Sequence, residues 1–104
     1  MPKLTTIFWR DIPAQVIGQQ GRKRHKRELA PRFAVAIDRA AMRAGRGSSD
    51  AYLEDWRRES QVCEGDIEQA VAKEVARQEA RLPPDLLESM VKAGGQSKSA
   101  SSTS

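Results

Sequence analysis

Apolar residues recur at spacings of three and four through the middle of the chain. Leu29, Phe33, Ala36, Ile37, Ala40, Ala41 and Ala44 therefore share one face of a helix. Pro31 suits the first helical position, where its missing N–H costs nothing, and Gly45 suits a left-handed stop. The pattern predicts a helix over residues 31–44. Upstream, the run "LTTIFWRDI" is rich in β-branched and aromatic residues, which suit a pleated, half-buried surface. It predicts a strand over residues 4–10. Asp11, Ile12, Pro13 and Ala14 then supply a bend, because proline cannot donate to a ladder and restricts the residue before it. "AQVIGQQ" reads as a second strand, ending near Gly18 or Gly21 and joined to the first as a hairpin. Residues 22–30 fit either extra helical turns or an extended segment, with Ala30 before proline opposing the helix.

Beyond the middle helix, "GRGSSD" reads as a connector, with Ser49 as cap of a short turn through "DAYLED". "WRRESQVCE" alternates weakly, placing Trp56, Arg58, Ser60 and Val62 on one side of a third strand that Gly65 ends. Asp66 followed three residues later by Gln69 resembles a capping box. The helix it opens runs from 66 to about 81, with a stripe of Ile67, Ala70, Val71, Val75 and Leu82. "RLPPD" stops it. A last short helix in "DLLESMVKAGG" carries Leu86, Leu87, Met90 and Val91 on one side and Gly94 at its end. This order predicts an α+β domain, a small antiparallel sheet packed against two to three helices. From Gly94 the sequence "GGQSKSASSTS" has no apolar residue larger than alanine, so its burial cannot offset its chain entropy. The expected division is a single domain over 1–93 and a disordered tail over 94–104.

Composition narrows the classes. The 104 residues are 38% hydrophobic and 31% charged, as in a soluble globular protein. No apolar run approaches the roughly 20 residues that span a bilayer, and "MPKLTTIFWRDIP" lacks the features of a secretory signal. The single cysteine, Cys63, excludes an internal disulfide. These features point to the cytoplasm and to no membrane partner. The net charge of +4 is unevenly placed. Residues 1–46 hold eleven basic residues against three acidic ones, a net +8, and residues 47–93 hold six against eleven, a net −5. Either the basic half faces an outside partner, or the two halves attract each other in the fold.

Two basic features are candidate sites. Arg32, Arg39, Arg43 and Arg46 fall within about 60° of one another on the middle helix. A charged outer face is the default for an amphipathic helix, yet the planar guanidinium suits phosphate and carboxylate pairing better than a lysine does. Beside it, Arg22, Lys23, Arg24, Lys26 and Arg27 surround His25, the sole histidine. Without a nucleic-acid-binding module or interleaved aromatic residues, this run reads as a protein or anion dock, with nucleic acid as the alternative partner. Trp56 beside Arg57 and Arg58 has the composition of an interface anchor, although core packing is the ordinary role of a tryptophan. Asp50, Glu54, Asp55 and Glu59 alternate with arginines and read as ion pairs. His25 and Cys63 would form a catalytic pair only if the fold joined them. The chain has no cluster at metal-ligand spacing and no phosphate-binding glycine loop. No enzyme activity and no cofactor are expected.

The stretches "TTIFWRDIPAQVIGQQGRKRHKREL", "RFAVAIDRAAMRAG" and "DAYLEDWRR" resemble small bacterial proteins grouped as "virulence factor". The resemblance covers most of residues 4–58. It departs from the usual pattern at Phe8, where tyrosine is common, and at Pro31. It brings no catalytic residues. It does imply a setting beside folate-linked one-carbon and methyl-transfer enzymes, with such an enzyme as the protein partner of an accessory subunit.

Overall fold

The computed structural model describes residues 2–45 and 49–95. The expected hairpin is present as β1 (Lys3–Trp9) and β2 (Ile12–Gln20), paired antiparallel. Its turn is Arg10 and Asp11, not the four-residue bend expected at 11–14. Pro13 lies inside β2, where Ile7 faces Gln15 and Phe8 faces Pro13, leaving Ala14 as the extra residue of a bulge. A bulge tolerates proline because the ladder is already interrupted there.

Residues 22–30 resolve in favour of the extended reading. β3 (Lys23–Glu28) pairs antiparallel with β2, from Gln20 opposite Lys23 to Gln15 opposite Glu28. Gly21, with φ +59°, supplies the left-handed residue at the start of the connecting turn. β4 (Trp56–Val62) pairs with the other side of β1, so the strand order is β3-β2-β1-β4.

The middle helix is α1 (Pro31–Arg43), with Pro31 in its first turn and Gly45 at φ +72° past its end. A short helix, α2 (Ser49–Glu54), replaces the expected turn through "DAYLED". The capping role expected of the Ser49 side chain lies outside what is described. α3 (Ile67–Arg81) begins at Asp66, whose side chain accepts from the Gln69 backbone N–H at 3.2 Å. α4 (Pro84–Lys92) follows, with Leu87, Met90 and Val91 buried. Leu86, expected on that apolar side, is 49% exposed.

The core forms where α3 packs on β2 and β3 and α1 packs against α4 and β2. Trp9, Ile12, Val16, Phe33, Ile37, Val71, Leu87 and Val91 belong to one cluster. Small residues set the distances between layers. A Cβ at Gly18 would lie 2.6 Å from both Ile67 Cγ1 and Val71 Cγ2, so the glycine lets α3 lie directly on β2. The packed chain also runs past 93. Gly94 and Gly95 are buried, the Gly95 carbonyl accepts from the Asp11 N–H at 2.9 Å, and a Cβ at Gly95 would meet the Trp9 ring at 2.7 Å. Gly94 and Gly95, expected in the disordered tail, are thus packed, and the rest of that expected tail, 96–104, lies outside the described residues.

Gly18→Ala is expected to destabilise the fold by about 1–3 kcal/mol, because Val71 is fully buried and β-branched and has no room to yield. Urea unfolding of the two proteins measures this, and an unchanged midpoint would contradict the close approach of α3.

Candidate functional site

The arginine stripe of α1 is real, but the fold uses it. Ala36 and Ala40 keep α1 slim where α4 packs beside it, and this brings the polar groups of α4 within reach of the guanidinium groups. Arg39 donates two parallel hydrogen bonds to Glu88, at 2.7 and 2.8 Å, the bidentate geometry that suits arginine best. Hydrogen bonding and the opposite charge raise the Arg39 pKa from its ordinary value. The Arg39 hydrogen bond likewise holds the Glu88 carboxyl below the usual carboxylate range. Arg43 donates to the Lys92 carbonyl at 3.1 Å, and Arg32 to the Glu79 carbonyl at 3.3 Å. Arg32 also lies over the Phe33 ring at 4.8 Å, with its Nε buried and unpartnered. Arg32, Arg39 and Arg43, expected as a docking stripe, are thus each engaged in part by α4 or the end of α3, while Arg39 and Arg43 stay exposed. Arg46 lies outside the described residues.

The acids of the second half are spent in the same way. Glu74 is 7% exposed, and burial opposes its charged form. Hydrogen bonds from Arg77 and Gln78, with the charges of Arg77 and Arg81, outweigh that penalty and hold its carboxyl below the ordinary range. Asp55 pairs with Arg10 at 3.2 Å, Asp11 with Arg57 at 3.1 Å, and Glu59 with Arg57. Asp55 and Glu59 thus bear out the ion-pair reading of those acids. The charge asymmetry partly serves the fold.

The cationic run is placed differently. β3 is an edge strand, and Arg22, Lys23, Arg24, Lys26 and Arg27 are exposed. Among the described residues none of the five makes an ion pair. Strand alternation divides them. Lys23, His25 and Arg27 share the side of Gln20, Gly18 and Val16, which α3 covers, and His25 and Arg27 line a depression there with Asp66 and Glu68. Arg24 and Lys26 share the opposite face with Gln19 and Ile17.

That face carries Lys3, Thr5 and Ile7 from β1 and Arg58, Ser60 and Val62 from β4. Its centre is Ile7, which is half-buried, and Ile17, which is buried, with Lys26 opposite Ile17, Arg58 opposite Ile7 and Glu28 at the far end of the Ile7 row. Lys3, Arg24, Lys26 and Arg58 are thus gathered on one sheet face, and none has an ion-pair partner among the described residues. The sequence reading missed Lys3 and Arg58 as site residues. The period-2 alternation of "KRHKRE" and "WRRESQV" carried the signal, since it assigns every second side chain to one face.

Trp56 is half-buried, and its ring meets Tyr52 edge to face at 5.7 Å. It is a partly packed residue at the end of the sheet, not a protruding anchor. His25 and Cys63 are not joined. His25 is on β3 at one edge and Cys63 follows β4 at the other, three strand spacings or about 14 Å apart. Among the described residues no three potential ligands gather to hold a metal, and no helix is long and apolar enough to cross a membrane.

A family model described as "Virulence factor" matches residues 7–91. No curated protein and no solved structure matches the chain.

The carboxylates predict a pH dependence. A carboxyl held below its unfolded value contributes stability that is fully present above about pH 4.3, the ordinary glutamate pKa. That contribution is lost as pH falls through the lower native value. Glu74→Gln is expected to reduce the stability lost between pH 7 and pH 3 relative to the unaltered chain. Urea titrations at the two pH values test it, and an identical loss in both proteins would remove Glu74 from the acid response.

Proposed function

The chain belongs to the virulence-factor family, and from that membership we propose a non-catalytic, cytoplasmic accessory protein that docks an acidic surface of a larger protein. The docking surface is the face of the sheet opposite α3, together with the β3 edge. The observation that carries this reading is the gathering of Lys3, Arg24, Lys26 and Arg58, without ion-pair partners among the described residues, around Ile7 and Ile17. Arg22, Lys23 and Arg27 extend the positive field beyond that face. A cationic rim around an apolar centre is how a protein interface divides its work. Charge steers the encounter and excludes wrong partners, and Val62, exposed on the same face, supplies apolar contact area.

The same layout favours a protein over a nucleic acid. Phosphate binding needs cations alone, and single-strand binding adds exposed aromatic rings. Here the centre is aliphatic, and Trp56, at the end of the face, is turned against Tyr52. The family resemblance supports an enzyme of folate-linked one-carbon or methyl-transfer chemistry as the partner.

Replacing Arg24 and Lys26 together by Gln is expected to weaken binding of a fluorescent poly-glutamate peptide roughly tenfold, mainly through the association rate. Added salt should shrink the difference. Arg39→Gln serves as the contrast, because its partner is internal and its loss should leave peptide binding unchanged. Tighter binding of a DNA oligonucleotide than of the peptide would move the reading to nucleic acid. Equal peptide binding by the double variant would remove the sheet face from it.

A further inference from the structure

At the end of the sheet, where β2 and β3 run into α1, the surface changes sign. A groove of about 570 Å³ is lined there by Gln15 and Glu28 of the sheet, Val35 and Asp38 of α1, and Tyr52 and Trp56. Gln15 and Glu28 face each other across β2 and β3, in the row next to Ile17 and Lys26 on the open face. The two carboxylates, Glu28 and Asp38, are exposed, and neither has an ion-pair or hydrogen-bond partner among the described residues. This sets them apart from Glu74, Glu88 and Asp55, which the fold engages.

The aromatic side of the groove is held from behind. Tyr52 stacks on the fully buried Trp9 with ring centroids 5.9 Å apart. The Trp9 indole N–H donates to the Tyr52 carbonyl at 2.9 Å. The Tyr52 and Trp56 rings are half-buried, and their mutual edge-to-face contact fixes their planes. Partial burial, and then the charge of Asp38, raise the Tyr52 phenol pKa from its ordinary value. Val35 is 56% exposed at the groove, an apolar side chain left without cover.

Two unpartnered carboxylates and two fixed aromatic rings, on a chain of net charge +4, select a cation. We propose that this groove receives an arginine side chain from an extended segment of a partner protein. A guanidinium satisfies both halves of the site. It is planar and stacks on aromatic faces, and its donors pair with carboxylates in a fork that an ammonium lacks. A polypeptide suits the size. The volume exceeds that of one guanidinium, and a neighbouring apolar side chain would cover Val35 while the Gln15 amide meets its backbone. This reading is independent of the cationic sheet face, since it rests on different residues and the opposite charge.

The full-length chain is titrated against the fluorescent pentapeptide Ala-Ala-Arg-Ala-Ala and against the same peptide with citrulline, which keeps the shape and removes the charge. The arginine peptide is expected to bind at least tenfold more tightly. Asp38→Asn and Glu28→Gln, both at exposed positions, should each weaken it several-fold while circular dichroism and melting temperature stay unchanged. Equal affinity for the two peptides, or unchanged affinity in Asp38→Asn, would overturn the proposal. Arginine amide binding as tightly as the peptide would also overturn it, in favour of a small-molecule site. So would a dimer in sedimentation that Asp38→Asn dissociates, which would make the occupant a second copy of this chain.

Discussion

The fold is tied together at one strained residue. Arg10, in the turn between β1 and β2, has φ +53°, a conformation that costs a non-glycine residue about 1–2 kcal/mol. Its backbone N–H donates to the Asp55 carbonyl at 2.9 Å, and its side chain donates to the Asp55 carboxylate at 3.2 Å and the Gly94 carbonyl at 3.0 Å. The guanidinium also lies 5.2 Å from the centre of the Trp9 ring. Hydrogen bonds to a charged group contribute about 1.5–3 kcal/mol each when partly buried. Arg10 and Asp55 are each 20% exposed, so together these bonds outweigh the backbone strain. One side chain thereby fastens the first hairpin, the entry to β4 and the end of α4. Arg57 reinforces it by donating to the Arg10 carbonyl at 2.8 Å and to Asp11.

That fastening explains why the chain's charges divide into two kinds. Drawing α4 back to the hairpin lays it along α1, and the arginines of α1 then find Glu88 and the Lys92 carbonyl. Arginines 10, 39, 43 and 57 all bond to residues distant in the sequence, so they are part of the fold's connectivity. Among the described residues the open sheet face meets no such element. Lys3, Arg24, Lys26 and Arg58 on it are exposed and have no ion-pair partner among the described residues.

α1, α3 and α4 were legible because the 3.6-residue period and the stop signals agreed. Phe33, Ala36, Ile37 and Ala40 are buried, as their spacing requires, and Asp66 caps α3. β3 was not, because its six residues contain no apolar side chain. Its extended state comes from pairing with β2, a tertiary effect that no local pattern in "KRHKRE" records. Gly94 and Gly95 misled for a related reason. Composition treats glycine as flexible, but here φ values of +73° and +94° and the nearness of the Trp9 ring require it. Glu74 and Gln78 lie outside the apolar stripe expected for α3, yet they are buried as hydrogen-bond partners. Of the candidate site, the charge of β3 was visible. Its division between two faces, and the joining of Arg24 and Lys26 with Lys3 and Arg58, needed the sheet register.

One ordinary explanation competes for the cations of β3. An edge strand offers unpaired N–H and C=O groups to any passing strand, and charged side chains on it discourage edge-to-edge aggregation. Lys23, Arg24, Lys26 and Arg27 would do that work even in a protein that bound nothing. The explanation does not extend to Lys3. It sits on β1, which has β2 on one side and β4 on the other, so it protects no edge. Its side chain nevertheless joins the face occupied by Arg24, Lys26 and Arg58. Edge protection also has no preference between the two sides of the strand, and β3 carries cations on both, whereas Lys3, Arg24, Lys26 and Arg58, from three different strands and without ion-pair partners among the described residues, share the side that α3 leaves open. The reading of that face as a docking surface rests on this convergence more than on the density of charge in β3.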